Sequence, residues 1–336
     1  MRHYPACVTG RPLNVWLMPS AFAPHRGGVE ELTAQLGAEL IRRGHSVTVI
    51  TNRWPLDLPE AETRERLHVE RLRFTLPARR PRSIVEHLAN RKAALASMRS
   101  LSRPDLVHVQ CASSQLSFAH RFSREADVPL VITSQGETAM DAGQIYQHNR
   151  WLRRTLRSAA ADAAALSTCS HWTREHVSAF APSFADAEVV PNGVRPEDWV
   201  ASPVPDAPII AAWGRHVEQK GFDLLLNAFR HVREARPGAQ LLLGGDGPAE
   251  EALRRGAGGG VTFLGPLDRT GVADLLARSR IAAVPSRVEP FGIVALEAAA
   301  TGIPLATSNV GGLGEAVING RTGVSFSPRD VAGIAT

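Results

Sequence analysis

Two cations lie five residues apart in the segment GRHVEQKG (214–221), which follows an apolar run and precedes a helical pattern. Arg215 and Lys220 can therefore flank the turn between a strand and a helix, and two cations at such a turn suit a diphosphate. Of 38 basic residues only Lys92 and Lys220 are lysines, so we interpret Lys220 as a position that needs a compact ammonium ion. The plainer alternative is a pair of solvent-exposed charges on a loop.

Two glutamates lie eight residues apart in EPFGIVALEAAATG (289–302). Pro290 suits the first position of a helix, which places Glu289 in the preceding loop. The next amides are then free to bind a ligand: those of Phe291, Gly292 and Ile293. Glu297 would lie inside the helix on an otherwise apolar face, where a carboxylate needs a hydroxyl or cation partner. The two acids could therefore hold different parts of one ligand.

Short apolar runs alternate with helical patterns along the chain, which predicts parallel sheets covered by helices on both faces. A length of 336 residues favours two domains. The proline-rich stretch ASPVPDAP (201–208) predicts a linker, after which the alternation restarts. The predicted fold class is α/β, with two doubly wound, Rossmann-like domains (1–200 and 209–336) facing each other across a cleft. Ligands of such sheets bind at the carboxyl ends of the strands.

The glycine and cysteine patterns argue against several kinds of binding site. Gly28 ends a glycine pair between the first strand and the first helix, where amides could meet an anion, although a pair of glycines can also form a simple turn. The segment GGDGPAEE (244–251) fails the dinucleotide fingerprint, and no P-loop pattern occurs. The three cysteines are widely spaced and lack a CxxC pattern. We therefore predict no metal site and no cofactor.

The net charge of +5 is concentrated in the first half of the chain. Residues 71–103 contain nine basic residues and one acid, Glu86, which favours an anionic partner or an anionic membrane surface, with a solvated arginine-rich face as the alternative. No apolar run approaches the roughly 20 residues of a membrane span, and the N-terminal segment lacks a long apolar core. We predict a cytoplasmic protein, with peripheral contact at the inner face of the membrane as an option, and no nucleic-acid partner.

Five motifs occur in the order and spacing of a known family. They are GGVEELTAQLGAELIRRGHSVTVIT, VVPNGV, GRHVEQKG, EPFGIVALEA and GIPLATSNVGG. Together they resemble the retaining glycosyltransferases of family 4, which have the GT-B fold, and the likeness runs from about residue 14 to 328. The resemblance implies a hexosyl transfer from a UDP- or GDP-sugar, bound mainly by the C-terminal domain. It also implies a hydroxyl acceptor bound mainly by the N-terminal domain.

Carried over to matching positions, the resemblance gives each residue a role. Arg215 and Lys220 would neutralise the departing diphosphate, and Gly28 would approach it from the other domain. Glu297 would accept hydrogen bonds from the ribose hydroxyls and Glu289 from a hydroxyl of the donor sugar. The amides near the helix start would hold sugar and phosphate oxygens. With these groups as catalytic and donor-binding residues, no metal is required, and retention of configuration follows from the family alone.

The sequence departs from the family pattern at two places. Family members commonly carry a histidine after the strand PLVIT, where this chain has Gln135 in TSQGETAMD. Glutamine can hydrogen-bond a sugar but cannot protonate it, so Gln135 and Glu137 are assigned to positioning the acceptor or the sugar. The chain also ends at SPRDVAGIAT, short of the terminal helices usual in the family, as expected of either a fragment or a short enzyme.

Three functions are compatible with these residues. The first is glycosyl transfer to a lipid-linked sugar or to a small cyclitol or other natural product. The second is non-catalytic binding of a sugar nucleotide on the same fold. The third is a GT-B sugar-nucleotide epimerase, which would need acids on both faces of the donor sugar.

Overall fold

The computed structural model describes residues 10–25, 27–77, 81–140, 145–201 and 203–328, with only the backbone for 81–83. Cys7, part of the basic 71–103 segment and the chain end from residue 329 lie outside the described residues. The chain divides into two compact units, Met1–Val190 and Pro191–Thr336. The segment that begins at Pro191 and precedes the second sheet belongs to the second unit, and its Trp199 is buried in the core of that unit.

The first unit is an eight-stranded sheet with helices along both faces. Its strands and helices are, in chain order, β1 (Asn14–Pro19), α1 (Gly28–Arg42), β2 (Ser46–Asn52), β3 (Ala61–Arg64), β4 (Leu67–Leu72), α2 (Pro81–Ser100), β5 (Leu106–Gln110), α3 (Leu116–Ala126), β6 (Leu130–Ser134), α4 (Glu137–Met140), α5 (Ile145–His148), α6 (Arg150–Asp162), β7 (Ala165–Thr168), α7 (His171–Ser178) and β8 (Glu188–Val189). The strand order is β3-β4-β2-β1-β5-β6-β7-β8, parallel except for the β3–β4 hairpin.

Alternate residues of β1 enter opposite faces of this sheet, as the two-residue period of a strand requires. Trp16 and Met18 pack in the larger core, beneath residues of α2, α3 and α6. Val15 and Leu17 pack on the other face with residues of α1. The short apolar runs of the sequence are thus strands buried on both faces, as the sequence predicts for a parallel sheet.

The second unit is a six-stranded, fully parallel sheet in the order β11-β10-β9-β12-β13-β14. Its strands and helices are β9 (Ile209–Trp213), α8 (Phe222–Ala235), β10 (Gln240–Gly244), α9 (Glu250–Gly256), β11 (Val261–Gly265), α10 (Arg269–Ala277), β12 (Ile281–Val284), α11 (Ile293–Thr301), β13 (Leu305–Ser308), α12 (Leu313–Ala316) and β14 (Gly323–Phe326). The order reverses between β9 and β12, and the segments following these two strands carry most of the predicted site.

The basic segment 71–103 is not one continuous solvated face. Arg71 lies on β4, is 2% exposed, and bonds the carboxylate of Glu62 and the carbonyl of Ala23. Most of the remaining segment is α2, whose exposed surface includes three large apolar side chains near its N-terminus: Ile84, Val85 and Leu88. The part of the 71–103 segment that could contact an anionic surface is therefore smaller than its composition indicates.

Candidate functional site

The turn after β9 is fixed by a glycine that approaches the backbone of the neighbouring loop. Gly221 has φ of 66°, and a side chain there would overlap the carbonyl oxygen of Pro285 at the end of β12. The amide of Arg287 donates to the carbonyl of Gln219 at 2.8 Å. The turn therefore rests directly on the loop that precedes α11, and this contact carries Lys220 to that loop.

Lys220 and Glu289 form a largely buried ion pair, although 69 residues separate them. The Nζ of Lys220 donates to Oε2 of Glu289 at 2.6 Å, and the side chains are 19% and 7% exposed. The hydroxyl of Ser286 donates to the same oxygen at 3.1 Å. An ammonium group has three N–H donors, so two remain on Lys220 after this contact. Oε1 of Glu289 accepts no hydrogen bond from a described residue.

Arg215 provides the second cation of this region. It lies two residues after β9, its side chain is exposed, and no carboxylate among the described residues pairs with it. Arg215 thus contributes a positive charge that is not already neutralised, whereas the charge of Lys220 is shared with Glu289. Both predicted cations belong to the same strand–turn–helix connection.

The helix after Glu289 begins later than predicted. Pro290 is not its first residue: α11 begins at Ile293, and Gly292 precedes it with φ of 95° and ψ of 56°. This left-handed backbone conformation favours glycine, and the helix begins at the residue that follows Gly292. In the described part of the chain, the amides of Phe291, Gly292 and Ile293 donate to no acceptor, and their binding of a ligand stays a prediction. Phe291 itself is buried, at 8% exposure.

Glu297 lies inside α11 and meets the end of β9. The indole Nε1 of Trp213 donates to its Oε2 at 2.9 Å. Burial raises the pKa of Glu297, while the hydrogen bond from Trp213 and the charges of Arg269 and Lys220 act in the opposite direction. Its Oε1 accepts no hydrogen bond from a described residue, so one carboxylate oxygen is available for a ligand hydroxyl.

The glycine-rich segment after β10 has a packing role. Gly245 and Gly247 have φ of 113° and 151°, and side chains there would overlap the backbones of Gly214 and His216. The amide of His216 donates to the carbonyl of Asp246 at 2.6 Å. These glycines allow the loop after β10 to lie directly on the turn that carries Arg215. Close backbone packing therefore explains the glycines of this segment, which fails the dinucleotide fingerprint.

The remaining predicted residues belong to the first unit. Gly28 is exposed and begins α1. Gln135 follows β6, and its amide nitrogen Nε2 donates to Oε1 of Gln110 at 3.2 Å. Glu137 is 9% exposed, and burial raises its pKa. Its two oxygens accept hydrogen bonds from the chain itself: from the amides of Ala112 and Gln135 and from the hydroxyl of Ser134. Glu137 therefore orders the ends of β5 and β6, and its contact with a substrate stays a prediction.

Two residues of this site escaped the sequence analysis. Ser286 and Trp213 each donate to a predicted glutamate, at 3.1 Å and 2.9 Å. Trp213 immediately precedes the GRHVEQKG segment, so its position was visible, but no spacing rule links a strand-end tryptophan to a helix 84 residues later. Among the described residues, no group of His, Cys, Asp and Glu could hold a metal ion, and no described helix has the length and apolar character to cross a bilayer.

Two family descriptions match the chain, one for each unit. Glycosyltransferase Family 4 matches residues 26–198, and Glycosyl transferases group 1 matches residues 207–336. The chain is 36% identical to a Mycobacterium tuberculosis glycogen synthase over 253 residues, which is 69% of this chain but 59% of that protein. It is 27% identical to a GDP-mannose-dependent alpha-(1-6)-phosphatidylinositol monomannoside mannosyltransferase of Mycolicibacterium smegmatis, over 95% of this chain and 87% of the relative.

Solved structures share the fold across the same length. Sucrose-phosphate synthase from Thermosynechococcus elongatus superposes with a TM-score of 0.77 at 22% identity, covering 96% of this chain and 88% of that protein. HepE of Anabaena, in complex with UDP and glucose, gives 0.74 at 18% identity with the same coverage. The predicted GT-B fold class is thereby confirmed. Because the family 4 description alone matches more than half of its residues, this chain belongs to glycosyltransferase family 4.

Proposed function

We propose that this chain transfers a hexosyl group from a nucleoside-diphosphate sugar to a hydroxyl acceptor, with retention of configuration. The observation that carries the proposal is the arrangement after β9 and β12, where the Lys220–Glu289 pair at 2.6 Å adjoins free backbone amides, with Arg215 on the same turn. Cations, an acid and amide donors are the groups needed to bind a diphosphate next to a sugar.

The cations act on the leaving group. Negative charge grows on the diphosphate as the glycosidic bond breaks, and Arg215 together with the two unused donors of Lys220 stabilises it. Glu289 fixes the ammonium in place through Oε2, so little reorganisation is needed when charge develops. The proposed chemistry therefore needs no metal ion, since the protein supplies the positive charge.

The acids and amides hold the rest of the donor. Oε1 of Glu297 accepts from the ribose hydroxyls, and Oε1 of Glu289 accepts from a hydroxyl of the transferred sugar. The amides at the start of α11, including those of Phe291 and Gly292, donate to sugar and phosphate oxygens. One acid thus binds the nucleoside and the other binds the reacting sugar, as the resemblance implies.

The first unit carries the acceptor side of the proposal. Gln135 positions the acceptor or the sugar through its amide, and Glu137 supports it by accepting the backbone amide of Gln135 at 2.8 Å. Gly28, at the start of α1, offers backbone to the diphosphate. These roles rest on the family likeness together with the position of the residues at the carboxyl ends of the strands.

The relatives narrow the candidate substrates. The mannosyltransferase relatives are named for GDP-mannose and phosphatidylinositol mannosides, and HepE was solved with UDP-glucose. GDP-mannose and UDP-glucose are therefore the first donors to test, and a lipid-linked sugar is the favoured acceptor over a small cyclitol. A lipid-linked acceptor also agrees with the proposed cytoplasmic location, with residues 71–103 in peripheral contact with an anionic membrane.

A donor screen followed by an anomeric product analysis tests the function. A nucleotide sugar at 100 times its dissociation constant stabilises a protein by about 2.7 kcal/mol, which a thermal shift detects. The bound donor is then incubated with lipid-linked and soluble acceptors, and the product is analysed by NMR, where an α-configured product from an α-configured donor supports retention. Binding without transfer or hydrolysis would point to a non-catalytic protein, and conversion of the donor sugar without acceptor would point to an epimerase.

A further inference from the structure

Four of the five arginines of the 71–103 segment whose side chains are described have partners within the first unit. Arg71 is buried against Glu62, Arg73 lies 3.3 Å from Glu86, Arg99 lies 2.5 Å from Glu125, and Arg103 donates to backbone carbonyls. Charge that is already paired attracts an anionic surface weakly. Arg91 is the fifth of these arginines, and it forms no ion pair with a described residue.

A groove between α2, α3 and α6 gathers arginines from all three helices. Its volume is about 590 Å³. Four arginines line it: Arg91, Arg121, Arg124 and Arg154. Glu125 is the one acid among the lining residues in the described part of the chain, and it lies 2.7 Å from Arg121. Arg124 lies 3.9 Å from Asp162, so Arg91 and Arg154 carry the positive charge of the groove that no described carboxylate pairs.

Several donors in the groove lack acceptors. Arg91, on α2, and Arg154, on α6, form no ion pair with any described residue. The hydroxyl of Ser117 is buried and has no hydrogen-bond partner among the described residues. A wall is formed by Trp151, whose ring packs edge-on against His87 at 5.5 Å. Guanidinium groups that line one concave surface match the oxygens of a phosphate.

An apolar ridge continues from this groove along α2. Ile84, Leu88 and Arg91 follow the i, i+4, i+7 spacing of one helix face. At 1.5 Å per residue, about 10 Å separate Ile84 from Arg91 along the helix axis. Ile84 and Leu88 are 45% and 47% exposed, and Val85 beside them is 68% exposed. A ligand that fits both features has an anionic group next to apolar chains.

We propose that the groove formed by Arg91, Arg121, Arg124 and Arg154 binds the phosphate group of an anionic phospholipid while Ile84, Val85 and Leu88 enter the acyl boundary. This site deepens the membrane contact described under the proposed function, but it does not depend on glycosyl transfer. The proposed membrane contact is thereby assigned to four arginines and not to the whole 71–103 segment. Only Arg91 belongs to that segment, while two of the others lie on α3 and one lies on α6. Exposed apolar side chains beside cations are the composition of a peripheral membrane surface.

Vesicle binding with a charge-matched control tests the groove. At low salt the full chain should bind vesicles that contain both phosphatidylglycerol and phosphatidylcholine, and it should not bind vesicles of pure phosphatidylcholine. Each cation near an anionic surface contributes about fivefold in affinity, so Arg91→Gln with Arg154→Gln should weaken binding about 25-fold. The control, Arg278→Gln with Arg321→Gln in the second unit, removes the same charge at exposed positions. Equal weakening in both double variants would overturn the site in favour of net charge.

A second pair of measurements separates a lipid from soluble phosphate. Leu88→Ser should weaken vesicle binding while leaving the weak binding of inorganic phosphate at the groove intact, since it changes the apolar ridge without adding a charge. Unchanged vesicle binding in Leu88→Ser would overturn the lipid assignment, as would tight binding of inorganic phosphate by a protein that does not bind anionic vesicles. Thermal shift by the nucleotide donor reports on the second unit in every variant, so a failure of the glycosyltransferase proposal is seen independently.

Discussion

Replacing Lys220 by methionine should affect stability as well as activity, because of its contact with Glu289. The substitution keeps most of the aliphatic side chain and removes the ammonium that lies 2.6 Å from a carboxylate with 7% exposure. Losing one partner of a fully buried pair costs about 3–5 kcal/mol. Here the lysine is 19% exposed and Ser286 still donates to Glu289, so about 2 kcal/mol is expected. The position of Lys220 at a predicted turn gives no indication of this cost, because substitutions at exposed turns usually change stability by less than about 0.5 kcal/mol.

Arg215→Met is the matched comparison for this experiment. It also removes a cation from the same turn, but Arg215 is exposed and has no partner among the described residues, so the expected cost is below about 0.5 kcal/mol. Glu289→Gln in the Lys220→Met background should recover most of the lost stability, because the buried charge is then gone. Turnover should fall by roughly 10² to 10³ in each single variant and should stay low in the double variant.

Urea unfolding followed by tryptophan fluorescence measures the stability of the variants. The second unit contains Trp199 and Trp213, both buried, so its transition is visible. Hydrogen exchange of the α11 amides assigns the change to this unit and not to the first. Equal urea midpoints for Lys220→Met and Arg215→Met would refute the argument that the pair is structurally coupled. Normal turnover in both would remove the diphosphate site from this turn.

Three further outcomes are expected. Burial raises the pKa of Glu297, and the hydrogen bond from Trp213 lowers it. Trp213→Phe should therefore raise this pKa further, so that donor affinity is lost at a higher pH than in the wild type as the solution is acidified. Calorimetric titrations with donor at several pH values measure this, and a wild-type pH profile would contradict the role of the indole contact. Gly292→Ala should destabilise the start of α11 by more than about 1 kcal/mol, since φ is 95° and a Cβ would lie 2.6 Å from Leu313; an unchanged urea midpoint would contradict it. Transfer should persist in EDTA, and a loss restored by a divalent cation would contradict the proposed role of Arg215 and Lys220.

The strands were predictable because their signal is local. The run LVHVQ is β5 residue for residue, and LNVWLM overlaps β1 in all but its first residue. A buried parallel strand needs only a short apolar stretch between turns, and the sequence shows this directly. The β3–β4 hairpin was missed because AETR (61–64) is polar and exposed along most of its length, so it carries no apolar pattern.

Helix starts were less predictable, because backbone conformation competes with residue preference. Pro290 is well suited to a first helical position, yet α11 begins at Ile293. The left-handed Gly292 explains the delay: its φ of 95° lies outside the helical range, so the helix can begin only after it. A glycine two residues after the proline was visible in the sequence, but its φ depends on how the loop packs against Leu313.

Charge partners were the least predictable feature, because they depend on contacts between distant segments. The sequence shows that lysine is rare and that Lys220 stands out, but it does not reveal the partner of this lysine. The pairing with Glu289 requires Gly221 to bring the turn against Pro285, a contact that involves backbone atoms and leaves no trace in the spacing of charges. The same reason explains Arg71, which composition groups with the other cations of the 71–103 segment and which the fold buries against Glu62. An excess of positive charge in a sequence therefore limits the sign of a surface, while the partners of each arginine decide where on that surface an anion can bind.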